Sequence, residues 1–263
     1  MSENNNNNNN NAAAAALPSA PAKPAPKNNG KKAAKPAPSP KRDLKILMLH
    51  GYTQSGALFK GRTGALNKVL NRALGEMPYN YNVEMVAPRE DDGKPTDNWG
   101  WFQHDEGTGA YRGFDNGMQT VADAIREAGG VDGVMGFSQG AAFAAMVASA
   151  MEAERTLPSD EKLRNWATQL RSANSDKPLK FCVVYAGFVG RDPDLQWLYE
   201  GGFATPSLHV YGGLDTVVSE DRTRGLWEKC TPTEQGARRR CWCIRAAISC
   251  PSRRSGRRRW RGG

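Results

Sequence analysis

Gly136-Phe137-Ser138-Gln139-Gly140 is the stretch on which the reading of this chain turns. Apolar residues 131–137 precede it, and an alanine-rich segment, residues 139–153, follows. The order is strand, sharp turn, helix, the setting in which G-x-S-x-G forms a nucleophile elbow. Small residues flank the serine because such a turn presses backbone against backbone, and glycine tolerates that approach. The Ser138 hydroxyl is then expected at the strand's carboxyl end, and N–H groups of the helix start face any developing oxyanion. A glycine-flanked serine at an ordinary turn is the competing reading; the strand before and the helix after favour the elbow.

Outward from this point, strands and helices alternate. Residues 45–50 read as an apolar strand ending at Gly51, and residues 57–74 as a helix carrying Leu58, Leu66, Val69, Leu70 and Leu74 near helical spacing. A second strand over residues 83–87 stops at Pro88. Residues 88–114 read as a long aromatic loop with Trp99, Trp101, Phe102, His104 and Tyr111. Helices are expected over residues 116–128 and 159–170, the latter capped by Ser159. Strands at 179–186 and 207–211, a short helix at 195–200 and a helix at 220–229 complete the pattern. Alternation of this kind, with strands apolar throughout, predicts an α/β fold: a mostly parallel central sheet covered by helices on both faces. Ligands then bind at the carboxyl ends of the strands.

Two of those ends carry further candidates. Asp215 follows the strand at 207–211 and comes after Ser138 in the chain, the order in which a nucleophile and its acid occur in this architecture. A carboxylate there would orient an imidazole and stabilise it when charged. The competing reading is an Asx-turn or capping aspartate before the helix at 220–229. Asp192 is a lower-ranked acid, since Asp192-Pro193-Asp194 has the composition of a turn. The loop after the first strand, from His50 to Ser55, is expected to supply a second oxyanion N–H from Tyr52 or Thr53, paired with the N–H of Gln139. His50 is expected to order that loop. The aromatic loop from Trp99 to Tyr111, and the segment from Phe188 to Phe203, are expected to wall an apolar acyl pocket.

Charge is segregated. The chain's net charge is +9. Residues 1–43 carry +5 and residues 232–263 carry +9, so the stretch between them carries −5. A mildly acidic body argues against a nucleic-acid-binding face on the domain. Residues 1–43 are low in complexity, with a run of eight Asn and then Pro-Ala-Lys units, and are expected to be a disordered tail. Five Cys form no disulfide framework, and Cys182 reads as a small buried hydrophobe. No apolar run approaches the length of a membrane span and no signal-peptide core is present, so the expectation is a cytoplasmic protein without a membrane partner. Lys31, Lys32, Lys41 and Arg42 offer a secondary reading as a nuclear address, against a plain solvated linker. No residue set implies a metal or organic cofactor; Cys241, Cys243 and Cys250 lack zinc-ligand spacing.

In combination the motifs resemble the fungal serine hydrolase family (FSH domain), a branch of the α/β-hydrolase fold. The matching pieces are Ile46-Leu47-Met48-Leu49-His50-Gly51 with Gln54-Ser55, then Tyr111-Arg112-Gly113-Phe114, then the elbow. The last is Leu208-His209-Val210-Tyr211-Gly212 leading to Asp215-Thr216-Val217-Val218. The resemblance spans residues 44–229. It implies a hydrolase of carboxyl esters or thioesters, with small acyl substrates, Ser138 as nucleophile and Asp215 as triad acid. His209 matches a family position on the strand before the acid, not the base.

The family continues with a strand and a Gly-Gly-His-Phe-Val-Pro-like segment that carries the base, and here the sequence departs. No histidine follows His209, and from about Cys230 the texture shifts to ten Arg, no Lys and a Cys-Trp-Cys. The genetic code offers a reason. Reading each codon as the last base of one codon plus the first two of the next, Trp242-Cys243 gives Val without choice. Continuing to Pro251, the shifted frame permits Val-His-Pro-Gly-Gly-His-Phe-Val-Pro. The tail therefore reads as an out-of-frame translation beginning between about Cys230 and Arg240, with the base encoded across the Ala247 and Ile248 codons. Residues 230–263 are accordingly expected to be unstructured, with the last strand and helix of the fold missing. The chain as written is expected to be inactive, since a serine hydroxyl without a base is a weak nucleophile. Two alternatives accompany this reading: a non-catalytic binding protein on the same fold, and His104 swinging in as a surrogate base.

Overall fold

A computed structural model describes residues 40–76, 79–88, 99–213, 215–230 and 241–246. The described residues form one compact unit. In chain order its elements are β1 (Arg42–Leu49), α1 (Gly56–Arg62), α2 (Gly64–Gly75), β2 (Tyr81–Val86), β3 (Gln103–His104) and β4 (Tyr111–Arg112). There follow α3 (Phe114–Glu127), β5 (Gly133–Phe137), α4 (Gln139–Ala150), α5 (Glu161–Ala173), β6 (Phe181–Tyr185) and a 3-10 helix (Pro193–Tyr199). The series closes with β7 (Ser207–Gly212), α6 (Glu220–Cys230) and β8 (Cys241–Ala246).

Six strands form one sheet in the order β2-β1-β5-β6-β7-β8, every neighbouring pair parallel. Such a sheet is stable only when both faces are covered. Alternation along β1 sorts its side chains accordingly. Ile46 and Met48 join Met85, Met135 and the Phe59 side chain of α1 on one face. Leu47 and Leu49 join Val134, Val184 and the larger cluster built from α3, α4, α5 and α6 on the other. Every residue of α4 is buried. Its alanines let the helix lie close to the strands, which brings its N-terminus to the carboxyl edge of β5. This is the α/β arrangement that the alternating pattern predicts, a parallel sheet covered on both faces.

Several elements differ from the sequence reading. The helix expected over residues 57–74 is two helices that meet at Thr63, whose Oγ1 donates to the Phe59 carbonyl at 2.9 Å. Gly61 and Gly64 flank the break, and glycine is a weak helix former. The N-cap of α5 is Asp160, not Ser159: its Oδ1 accepts from the Leu163 N–H at 2.9 Å. Within the aromatic loop, β3 and β4 pair as an antiparallel hairpin. Asp105 turns it by accepting the N–H groups of Gly107 and Thr108.

The largest correction concerns the C-terminus. The last strand, expected to be missing, is present as β8, in continuous parallel register with β7 from Ser207↔Cys241 to Gly212↔Ala246. An uncovered edge of β7 offers unpaired N–H and C=O groups. A partner strand satisfies them through its backbone, so side-chain identity matters little, and Cys, Trp and Ile suit a strand well enough. The other residues of the 230–263 segment, apart from Cys230 in α6, lie outside the described residues, as does the tail up to residue 39. The ordered body begins slightly earlier than residue 44, since β1 starts at Arg42.

Candidate active site

The elbow is built as its composition requires. Ser138 sits between β5 and α4 with φ 55° and ψ −117°, a conformation that L-residues rarely adopt. Its N–H donates to the Tyr185 carbonyl at 2.9 Å, and its own carbonyl accepts from Ala141 and Ala142 in the first turn of α4. The two glycines are there for space. A Cβ on Gly136 would stand 2.1 Å from the Gly140 carbonyl oxygen, and one on Gly140 would stand 2.2 Å from that of His50. Ser138 is half-buried and its Oγ makes no hydrogen bond among the described residues. It lines a cleft of about 770 Å³.

Gln139 opens α4, and its backbone N–H has no acceptor among the described residues. Its side chain is clamped: Oε1 accepts from the Trp101 N–H at 2.9 Å, and Nε2 donates to the Phe102 carbonyl at 2.7 Å. The elbow and the aromatic segment are thereby tied together. Of the two expected loop donors, Thr53 is committed elsewhere, its N–H donating to the Trp99 carbonyl at 2.7 Å. Tyr52 has no such commitment and lines the cleft with Ser138 and Gln139. His50 is 1% exposed, and its Nδ1 donates to the Gly51 carbonyl at 2.7 Å. Trp101 closes over it, with Nε1 donating to the His50 carbonyl at 2.8 Å. His50 belongs to the loop's packing.

The two acids divide differently. Both carboxylate oxygens of buried Asp192 are engaged, by the N–H groups of Tyr111 at 2.7 Å and Asp194 at 2.9 Å. Asp192 fixes the wall of the cleft. Asp215 does form the Asx-turn, since Oδ1 accepts from Val217 at 2.9 Å and Val218 at 3.0 Å. Its Oδ2 makes no hydrogen bond among the described residues. Val217 and Val218 line the cleft, so the loop bearing Asp215 borders the cavity that Ser138 opens into.

The chain holds three histidines. His209 is fully buried on β7, its Nε2 3.2 Å from Ser207 Oγ, and burial holds its pKa down to about 4. His104 is exposed on β3 and lines the cleft. β8 runs parallel to β7, so its carboxyl end at Ala246 lies on the edge of the sheet from which the Asp215 loop also departs. Ala247 and Ile248 themselves lie outside the described residues.

The expected walls are found in part. Phe102, Tyr111, Phe188 and Val189 face the cavity. Trp101 is instead buried behind it, and Leu195, Leu198 and Phe203 belong to the core. The Phe188 side is held to the hairpin by the Arg191 N–H, which donates to the Tyr111 hydroxyl at 2.7 Å. Burial raises the Tyr111 pKa, so this hydroxyl stays protonated. The sequence reading missed two cationic side chains on the cleft, Arg191 and Arg222; isolated arginines near turns carry no motif that singles them out. Among the described residues, no group of three or more His, Cys, Asp or Glu is placed to hold a metal ion, and no helix is long and apolar enough to cross a membrane.

Comparison with known proteins adds the following. The serine hydrolase (FSH1) family model matches residues 40–239. A protein named dihydrofolate reductase from Schizosaccharomyces pombe is 29% identical over 202 residues, covering 72% of this chain and 41% of that protein. The chain thus spans less than half the length of that relative. Esterase OVCA2 from Danio rerio is 29% identical over 205 residues, covering 70% of this chain and 82% of the relative. Among solved structures, esterase PE8 superposes with a TM-score of 0.45 at 20% identity, covering 80% of this chain and 85% of that one.

Proposed function

The chain belongs to the serine hydrolase (FSH1) family, and on that premise we propose that its cleft is built to cleave carboxyl esters or thioesters through an acyl-enzyme on Ser138. One observation carries the reading: a serine held at φ 55° between two sterically obligatory glycines, its hydroxyl uncommitted, on the wall of an apolar cleft. In the reaction the Ser138 oxygen attacks the acyl carbonyl. The N–H groups of Gln139 and Tyr52 receive the negative charge that builds on the carbonyl oxygen. Asp215, through Oδ2, would orient the imidazole that takes the serine proton and passes it to the leaving group.

That imidazole is the piece this chain lacks. We propose that the chain as written is catalytically silent, and that the base is encoded out of frame across the Ala247 and Ile248 codons. The position of β8 supports this, since its carboxyl end stands beside that of β7 and the next residues are those two. Loss of one triad member leaves residual catalysis only. Five cysteines without a disulfide framework favour the cytoplasm or nucleus as the place of action.

A fluorophosphonate probe tests the proposal on two chains, the one printed and one with the shifted frame restored from residue 231. The restored chain should be labelled at Ser138, and Ser138→Ala should abolish the label. The printed chain should label at least about 1,000-fold more slowly. Equal labelling of both chains would instead identify His104 as the base, to be checked with His104→Ala. The second reading, a binding protein without catalysis, rests on the absence of any histidine after His209. An unlabelled restored chain would favour it. Sequencing the transcript across this region decides the frame separately.

A further inference from the structure

Several arginines among the described residues meet carboxylates. Arg112 pairs with Asp105 at 3.4 Å, Arg155 with Glu152 at 2.8 Å and Arg224 with Glu220 at 2.9 Å. The two on the cleft do not. Arg222 is the third residue of α6, at the helix end where a cation opposes the dipole. Its guanidinium lies 4.5 Å over the Phe188 ring, and Nη1 donates to the Val217 carbonyl at 3.1 Å. No carboxylate reaches it among the described residues. Arg191 lines the same cleft. Its backbone is pinned to the Tyr111 hydroxyl, while its exposed side chain makes no hydrogen bond or ion pair among the described residues. The Arg191 backbone is bonded to Tyr111 and the Arg222 guanidinium lies over Phe188, three residues before Arg191 in the chain, so both arginines border one region of the cavity. Asp192, the carboxylate near them, is buried and saturated by backbone N–H groups. The cleft is lined by two guanidinium groups that form no ion pair among the described residues, and by no Asp or Glu.

Unlike Arg155, neither arginine is paired with a carboxylate, and Arg222 sits against its helix dipole. An anionic ligand would reverse that cost. We propose that Arg191 and Arg222 form an anion-recognition site on the cleft, so that the ester or thioester cleaved at Ser138 carries a carboxylate or phosphate group. The inference rests on the proposed function and narrows it to a substrate class. Guanidinium groups bind either oxyanion through paired, charge-assisted hydrogen bonds. The anion has two possible sources: a carboxylate at the far end of the acyl chain, or a phosphate on the leaving group.

Binding of uncleavable amides separates these without requiring turnover. One pair is suberic acid monomethylamide and the neutral N,N′-dimethylsuberamide. The other is N-octanoyl-O-phosphoethanolamine and N-octanoylethanolamine. Calorimetric titration at low ionic strength should show the anionic member of at least one pair binding about tenfold tighter, which corresponds to one charge-assisted contact. The pair that responds identifies the source. The preference should shrink at high salt, fall in Arg191→Gln and Arg222→Gln, and persist in Arg222→Lys. Should Arg222→Gln fail to fold, Arg191→Gln carries the test, because its side chain holds nothing else. Equal affinity within both pairs, or a preference that survives the double Gln variant, overturns the proposal. Ser138→Ala should leave the preference intact. A restored chain that prefers the anion yet resists the fluorophosphonate would therefore fail the hydrolase reading alone.

Discussion

At the scale of single residues, the elbow is set by what cannot be added. Gly140→Ala would drive a methyl into the carbonyl oxygens of His50 and Leu49, both backbone atoms at the end of β1. Neither can retreat without unpairing the sheet. We expect a loss of about 4 kcal/mol or outright failure to fold, read from urea denaturation. His209 supplies a different signature. Its folded pKa near 4 lies below the ordinary histidine value of about 6.5. Between those values the unfolded chain binds a proton that the folded chain refuses. Stability should therefore be level above about pH 6.5 and fall as the pH drops toward 4, by on the order of 3 kcal/mol in total. His209→Asn should flatten that slope in denaturation midpoints taken across the window. The clamp on Gln139 was not legible in the sequence: in G-x-S-x-G the second variable position reads as a backbone donor only. Its side-chain bonds to Trp101 and Phe102 link residues 37 and 38 positions apart, and no local pattern encodes that.

Among elements, what was legible follows from periodicity. β1, β5, β6 and β7 announce themselves as apolar runs closed by glycine, proline or polar residues, and α4 as the alanine-rich segment that follows the elbow. The break at Thr63 was hidden because apolar spacing continues through it, and the N-cap of α5 because Ser159 and Asp160 are equally good capping types. Asp160→Ala should cost about 1 kcal/mol, while Ser159→Ala should cost nearly nothing; a pair of thermal melts separates them. β8 was missed for another reason. Local preference gave no period there, and the strand exists because β7 presents an edge to fill. Removing residues 231–263 should bare that edge and lower stability by about 2 kcal/mol, after the entropy recovered by the released segment. A larger monomer fraction lost to self-association on size-exclusion chromatography should accompany the deletion.

For the molecule as a whole, the charge bookkeeping pointed away from the domain and toward its ends. Deleting residues 1–38 should leave the thermal midpoint unchanged, because a run of Asn, Ala, Pro and Lys has little apolar surface to give a core. The parallel sheet and the cleft at its carboxyl edge were legible, since both follow from alternation of strand and helix. The two cleft arginines were not, since only tertiary structure reveals which charges lack an opposite. β8 carries a last implication. Its place is secured by main-chain pairing, which is blind to reading frame, so the sheet closes whether or not the encoded side chains make sense. On the proposal that the base is lost, a cell translating this version would accumulate a durable product that still admits ligand and turns it over only at a residual rate. Beside an in-frame sibling it would behave as a sponge, withholding the shared ligand in proportion to its own abundance.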